Sequence, residues 1–241
     1  MNDCIVIIPT YNEIENIESI IRSVFSQHKP FHVLIIDDNS PDKTSEKVEL
    51  LQSEFEGKLF LEKRNKKSGL GTAYVHGFRW ALERKYDFIF EMDADFSHNP
   101  NDLEKLYNAC HFGDADLAIG SRYVTGVNVV NWPLNRVLMS YFASVYVKFI
   151  TGMKIHDATA GFICYKRQVL EGINLDKIKF VGYAFQIEMK YRTFCRKFKI
   201  VEVPIIFTDR TKGESKMSNA IIKEAVFGVI SLRLKKLFNT L

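Results

Sequence analysis

The chain alternates short apolar runs with stretches of helical periodicity, and the apolar runs end in polar or acidic clusters. Cys4-Ile5-Val6-Ile7-Ile8 is stopped by Pro9 and followed by Thr10-Tyr11-Asn12-Glu13. Phe31 to Ile36 ends in Asp37-Asp38-Asn39-Ser40, Phe88 to Met92 in Asp93-Ala94-Asp95, and Ala115 to Gly120 in Ser121-Arg122-Tyr123. Leu59 to Leu61 makes a shorter run. Runs of this kind read as parallel strands buried on both faces. Between them, Ile14, Ile17, Ile20, Ile21 and Val24 predict a helix over Glu13 to Gln27, with further helices over Lys43 to Phe55, Leu70 to Lys85 and Pro100 to Cys110. Such alternation specifies an α/β fold, a mostly parallel sheet between helices. Ligands of open sheets sit beyond the carboxyl ends of the strands, so the four polar clusters are expected to converge on one crevice.

Past Tyr123 the alternation fades. A long helix is predicted over Pro133 to Thr151, a loop at Asp157-Ala158-Thr159-Ala160-Gly161 leading into a strand through Tyr165, and a helix over Ala184 to Lys197. A last strand is expected over Ile200 to Phe207, at an edge because of Pro204. A basic loop over Thr208 to Ser218 then leads into a terminal helix over Asn219 to Leu241. The length of 241 residues suits one catalytic domain, 1–218, with the helix of 219–241 as an amphipathic appendage. Four cysteines stand far apart with no C-x-x-C pair, which excludes a zinc ribbon and suits a reducing compartment. A net charge of +4 does not argue for nucleic acid. No run approaches about 18 apolar residues, and no secretory signal pattern precedes the first strand.

Asp93 and Asp95, one residue apart at a strand end, can both reach a hard divalent cation such as Mg²⁺ or Mn²⁺. Such ions use one or two carboxylates and take substrate phosphate oxygens for other positions. A solvated, Asp-rich turn is the plain alternative for this window alone. The cations Arg122, Arg136, Arg210 and Lys216 suit phosphate, arginine through its planar fork.

The ordered set of blocks carries a resemblance. Pro9-Thr10-Tyr11-Asn12-Glu13, Asp37-Asp38-Asn39-Ser40-Pro41-Asp42-Lys43-Thr44, Gly69-Leu70-Gly71-Thr72-Ala73-Tyr74, Met92 to Pro100, Gly120-Ser121-Arg122-Tyr123 and Phe207 to Lys216 resemble the inverting glycosyltransferases of the GT-A fold. Within them the chain is similar to the dolichol-phosphate (polyprenol-phosphate) mannosyltransferases. Two departures stand out: Lys43 replaces the usual glycine, and Asp157 to Gly161 is a loose form of the family's turn. The resemblance implies that Pro9, Tyr11, Glu13 and Asp38 meet the nucleotide. It implies that Asp93, Ala94 and Asp95 meet the donor pyrophosphate and Mg²⁺ or Mn²⁺. Related enzymes can carry Gln where Ser97 stands, which makes Ser97 the third candidate ligand. Arg122, Arg136 and Ser140 would face the acceptor phosphate, and Arg210 and Lys216 the donor; Asp95, Arg122 and Arg210 are the expected catalytic residues.

The implied reaction moves mannose from GDP-mannose to dolichyl or polyprenyl phosphate with inversion. Another nucleotide sugar or a saccharide acceptor is the near alternative, and a non-catalytic nucleotide-binding membrane subunit the distant one. A lipid acceptor implies a membrane surface. The apolar residues of the Leu134–Thr151 helix and the apolar and basic residues of the terminal helix suit such contact. The expected location is cytoplasmic, peripheral to the cytoplasmic face of a membrane, with a separate membrane-anchoring subunit as the implied partner. His98 is expected to be a loop histidine, and Glu188 to support the site from a helix.

Overall fold

A computed structural model describes residues 3–210 and 219–238. The first half alternates as predicted: β1 (Cys4–Thr10), α1 (Ile17–Phe25), β2 (His32–Asp37), α2 (Thr44–Gln52), β3 (Leu59–Lys63), α3 (Leu70–Glu83), β4 (Phe88–Glu91), α4 (Leu103–His111) and β5 (Leu117–Ser121). Then come β6 (Val129–Val130), α5 (Leu134–Thr151), β7 (Ile163–Lys166), α6 (Arg167–Gly172), α7 (Tyr183–Cys195), β8 (Ile200–Pro204), β9 (Phe207–Thr208) and α8 (Asn219–Leu237). Seven strands form one sheet in the order β3-β2-β1-β4-β7-β5-β8, and β6 and β9 form a two-stranded sheet.

Both faces of the large sheet are covered. Ile5 and Ile7 point into one core with Tyr74, Phe78 and Phe185, while Cys4, Val6 and Ile8 point into the other with Ile17, Ile20 and Leu106. Alternate residues of one apolar strand therefore serve opposite cores, which is why the strand reads as unbroken hydrophobicity.

β7 is the exception to the parallel pattern. It runs antiparallel between β4 and β5, with Ile163 opposite both Glu91 and Ile119. Its starting end therefore lies at the carboxyl ends of its parallel neighbours. That inversion delivers the Asp157–Gly161 loop into the crevice.

Three boundaries differ from expectation. β1 continues through Pro9 to Thr10. Ile7 accepts a hydrogen bond from Met92 on the β4 side, and Pro9, two residues on, faces the same side beyond the last β4 pairing at Glu91. The missing proline N–H thus breaks no ladder bond. α1 begins at Ile17 rather than Glu13, and the Glu13 and Ile14 amides ahead of it donate to Thr44 Oγ1 and Asp42 Oδ2, both at 3.0 Å. The run from Ile200 to Phe207 is two elements. β8 is an edge strand that ends at Pro204, and the Phe207 amide then donates to Asn128 O at 3.0 Å as the chain joins the small sheet.

α8 is present, but among its described side chains the apolar ones do not form a single stripe. Val229 and Leu232 are buried, while Phe227, Leu237 and Phe238 are more than 60% exposed. One side packs against α7 and α5, and a second apolar side stays open.

Lys43 stands at the start of α2 with φ +69°. The left-handed region costs a non-glycine residue roughly 1–2 kcal/mol, and glycine's extra unfolded-state freedom offsets about 0.5–1 kcal/mol of that. Lys43→Gly is therefore expected to stabilise the protein by about 0.5–1 kcal/mol, read as a higher denaturant midpoint with an unchanged slope.

Candidate active site

The ends of β4 and β5 meet in a crevice of about 400 Å³, while the clusters after β1 and β2, expected to converge on the same crevice, do not line it. Asp93, Asp95 and Arg210 line one end, Arg122, Arg136 and Ser140 a second wall, and Thr159, Ala160 and Gly161 lie with them. The crevice then runs into an apolar groove between α5 and α8, walled by Met139, Phe142, Tyr146, Val147, Val226 and Val229. The Tyr146 hydroxyl donates to Val226 O at 2.9 Å and ties the two helices together.

Tyr11, Glu13 and Asp38 stand at the β1 and β2 ends, outside the crevice lining, with Pro9 in the strand itself. Asp38 is buried and accepts a forked pair from Arg64, Nε at 2.5 Å and Nη2 at 2.7 Å. Arg64 also donates to Thr72 Oγ1 at 2.8 Å, so it joins β2 to the start of α3. Lys67 lies 4.2 Å over the Tyr11 ring. Beneath, Asp37 accepts from Thr10 Oγ1 at 2.9 Å and Ser40 Oγ at 2.6 Å, which sets the turn carrying Asp38. Gly71 lets α3 approach closely: a Cβ there would meet Phe180 O at 2.6 Å.

Asp95 is clamped from below. The Ser97 amide and hydroxyl both donate to its Oδ1, at 3.0 and 2.6 Å, and Arg210 Nη2 lies 3.0 Å from its Oδ2. Burial alone would raise this carboxyl, but the Ser97 hydrogen bonds and the Arg210 charge outweigh it and hold it below its ordinary value. Asp93 differs. Its side chain is 37% exposed to the crevice, and partial desolvation there together with the neighbouring Asp95 charge pushes it up to about 7, against the pull of Arg210. Ser97 spends its hydroxyl proton on Asp95 and so orients that carboxylate. His98 stands in the loop after β4, as expected, but is buried there. It is 3% exposed, stacks on Phe162 at 5.0 Å, accepts from the Asp93 amide at 3.2 Å, and is pushed by burial down to about 4.

Two adjacent carboxylates, one of them resisting ionisation, make a donor set that a hard dication would relieve. Among the described residues no group of three or more His, Cys, Asp or Glu side chains is placed to hold a metal. Among the described residues Asp93 and Asp95 are the paired carboxylates of the crevice, an arrangement that would suit an ion completing its shell with phosphate oxygens and water.

Arg122 is anchored more firmly than its motif suggests. Its Nε and Nη2 donate to Asp157 at 2.7 and 2.6 Å, its amide to the same carboxylate at 3.0 Å, and Nη2 again to Thr159 Oγ1 at 2.8 Å. Asp157 is fully buried and Arg122 nearly so. Arg136 is more loosely held, by Asp209 at 2.8 Å and over Trp132 at 4.1 Å. Ala94 is buried in the strand-end turn. Lys216 lies outside the described residues. Glu188 is fully buried away from the crevice, accepting from the Lys179 and Phe180 amides and paired with Arg192. Sequence reading did not reach Arg64, Trp132, Asp209 or Gln186, and it treated Asp157 as a turn residue only.

Breaking a buried pair leaves one charge stranded, at about 3–5 kcal/mol. Asp157→Asn is expected to destabilise the fold by that order at neutral pH. Burial alone would raise the Asp157 carboxyl, but Arg122 holds it below its ordinary value. Its contribution is therefore complete above about pH 4 and is lost as pH falls through the depressed folded value. The gap in stability between wild type and Asp157→Asn, followed by denaturation at descending pH, should narrow below about pH 4.

A family model described as glycosyl transferase family 2 matches residues 5–173. The chain is 47% identical over 225 residues to the polyprenol monophosphomannose synthase of Mycolicibacterium smegmatis, covering 93% of this chain and 84% of that protein. It is 44% identical to the undecaprenyl-phosphate mannosyltransferase of Micrococcus luteus, over 92% of this chain and 90% of that one. To the dolichol-phosphate mannosyltransferase of Pyrococcus furiosus it is 39% identical, over 91% of this chain and 60% of that longer protein. Among solved structures, glucosyl-3-phosphoglycerate synthase from Mycobacterium tuberculosis, in complex with Mn²⁺, uridine diphosphate and glucosyl-3-phosphoglycerate, matches with a TM-score of 0.69 at 16% identity, over 98% of this chain and 80% of that one. That likeness is one of fold, and the fold is GT-A. With these matches over most of its length, the chain belongs to glycosyl transferase family 2.

Proposed function

We propose that this glycosyltransferase moves mannose from GDP-mannose to the phosphate of a polyprenyl or dolichyl phosphate, giving a β-linked lipid phosphate sugar by inversion. The observation that carries the reading is the change of character along one crevice. Carboxylates and arginines line its inner end, and the groove between α5 and α8 is apolar. A saccharide acceptor has no use for such a groove; a lipid phosphate has polar and apolar parts in that order. The names of the relatives support mannose as the sugar and a polyprenyl or dolichyl phosphate as the acceptor.

In this reading GDP lies across the β1 and β2 ends, with Tyr11, Glu13 and Asp38 toward the nucleoside. Asp93 and Asp95 hold Mg²⁺ or Mn²⁺, which when bound neutralises charge growing on the departing diphosphate. Arg210, already 3.0 Å from Asp95, adds a fixed positive charge beside the same group. The acceptor phosphate comes between Arg136 and Ser140. Arg136 exchanges its Asp209 partner for phosphate, whereas Arg122, anchored by Asp157 and Thr159, serves as a rigid wall. One phosphate oxygen attacks the anomeric carbon, the bond to the diphosphate oxygen breaks with its electron pair leaving on GDP, and the configuration inverts. The attacking oxygen is anionic near neutral pH, so no protein base is required; alignment and charge carry the rate.

The same reading brings the protein to a bilayer, peripherally and at its cytoplasmic face. No helix among the described residues is long and apolar enough to cross a membrane. Phe142, Phe149, Phe227 and Leu237 nevertheless stand at least 60% exposed on α5 and α8. Together with the basic residues of α8 they suit the interface of a bilayer containing anionic lipid.

Incubation with GDP-mannose, UDP-glucose and UDP-N-acetylglucosamine plus a polyprenyl phosphate should move sugar to lipid from GDP-mannose alone. Transfer from a UDP-sugar instead would overturn the donor. Chelation should stop transfer and added Mg²⁺ or Mn²⁺ restore it. Asp95→Ala should lower kcat by about 10²–10³-fold with an unchanged circular dichroism spectrum, and near-normal turnover would rule out its role. In liposome flotation, Phe149→Glu with Phe227→Glu should leave the protein in the dense fraction while transfer to a short-chain, soluble polyprenyl phosphate persists.

A further inference from the structure

Gln186 lies in the opening turns of α7, is 2% exposed, and lines the crevice together with Asp93 and Gly161. Its amide is held in one orientation. Nε2 donates to the fully buried Glu91 carboxylate, which also accepts from the Tyr165 hydroxyl at 2.8 Å. In its ionised form that carboxylate can only accept, so it faces the nitrogen end of the amide and the carbonyl end is turned away from it. Behind it, the buried Lys190 Nζ donates to Ala160 O at 2.6 Å and to Gln186 O at 3.3 Å. The helix turn bearing Gln186 and the loop bearing Gly161 are thereby tied to one cation. Despite this scaffolding, Gln186 Oε1 is buried and has no hydrogen-bond partner among the described residues. An orphaned buried acceptor inside a fully oriented network calls for a donor from elsewhere.

The place in the crevice says what that donor is. A sugar being transferred must span from the Asp93, Asp95 and Arg210 end to the Arg136 and Ser140 wall, and Gln186 lines the same cavity with Thr159 and Gly161, its amide beside Gly161. Pyrophosphate and acceptor phosphate offer oxygen acceptors, which a carbonyl repels. The hydrogen-bond donors of a nucleotide hexose in that span are the hexose hydroxyls. We infer that Gln186 is a specificity-determining residue whose carbonyl oxygen accepts a hydrogen bond from one hydroxyl of the donor hexose, with Glu91, Tyr165 and Lys190 as the positioning groups that keep the amide oriented. This inference rests on the functional reading above.

The test uses the full-length protein, GDP-mannose, its monodeoxy analogues and a polyprenyl phosphate. The wild type should lose at least 10-fold in kcat/KM with one monodeoxy donor and little with the others. Gln186→Leu should lose about 10–100-fold with GDP-mannose, bind GDP as the wild type does in product inhibition, and equal the wild type on that one analogue. Gln186→Met provides the same comparison if the leucine variant does not fold. A wild type that tolerates every monodeoxy donor within threefold overturns the inference without any variant. So does a Gln186→Leu enzyme of normal rate, or one that loses GDP affinity and rate equally on all donors, the mark of a merely structural role. A wild type that transfers nothing from GDP-mannose defeats the functional reading and this inference together. One that transfers, beside an unaffected Gln186→Leu, defeats the inference alone.

Discussion

The buried pair between Arg122 and Asp157 is the contact on which the rest of the site depends. Arg122 follows β5, and Asp157 belongs to the loop that enters the antiparallel β7. Their forked contact closes the place where two oppositely directed strands meet. It fixes Thr159 through the second donor of the same guanidinium. Glu202 of the neighbouring β8 reinforces this junction by accepting from the Asp157 amide at 2.9 Å and from Ser121 Oγ at 2.8 Å. A buried charge pair is a poor source of stability compared with apolar packing of equal volume. Its value here is geometric, since it sets the crevice wall to one shape.

The polar end of the crevice is a set of graded ion pairs. Arg122 is held through Nε and Nη2 and is nearly enclosed, whereas Arg136 and Arg210 hold their carboxylates with side chains about one-fifth exposed. Partly solvated pairs are individually weak, so a phosphate can compete for those two arginines far more readily than for the first. Asp209 and Arg210 are adjacent in sequence yet serve different partners, one holding Arg136 and the other facing Asp95. A short stretch after β9 thus contacts both ends of the polar wall.

Much of this was legible in the residues. Apolar runs ending in Asp38, Asp93 and Asp95 announce themselves because strand burial and exposed strand ends leave opposite signatures a few positions apart. The block at Gly69-Leu70-Gly71 likewise declares a close approach, here against Phe180 and Phe185. What escaped is what depends on long-range pairing. Asp157 finds Arg122 across 35 positions only because β7 inserts between β4 and β5, and a four-residue strand carries no mark of its direction. Arg64 sits in a basic stretch where nothing distinguishes it from Lys63, Lys66 or Lys67. Gln186 lies within an apolar helix segment and gains meaning only from Glu91, on a different element. Lys43 shows the reverse: as a departure from the family's glycine it was visible at once, and its left-handed backbone accounts for the usual glycine there.

The groove between α5 and α8 opens on the helices that present exposed Phe142, Leu138 and Phe227. For an isoprenoid acceptor this geometry allows sideways loading. Lifting one five-carbon unit into water costs about 4 kcal/mol at about 0.8 kcal/mol per buried carbon, and a long tail multiplies that many times. A chain lying with these helices at the bilayer leaves the tail among its neighbours and draws in only the headgroup. In the membrane-docked state proposed above, the search for substrate would become two-dimensional, governed by lateral diffusion and surface density rather than by any bulk concentration.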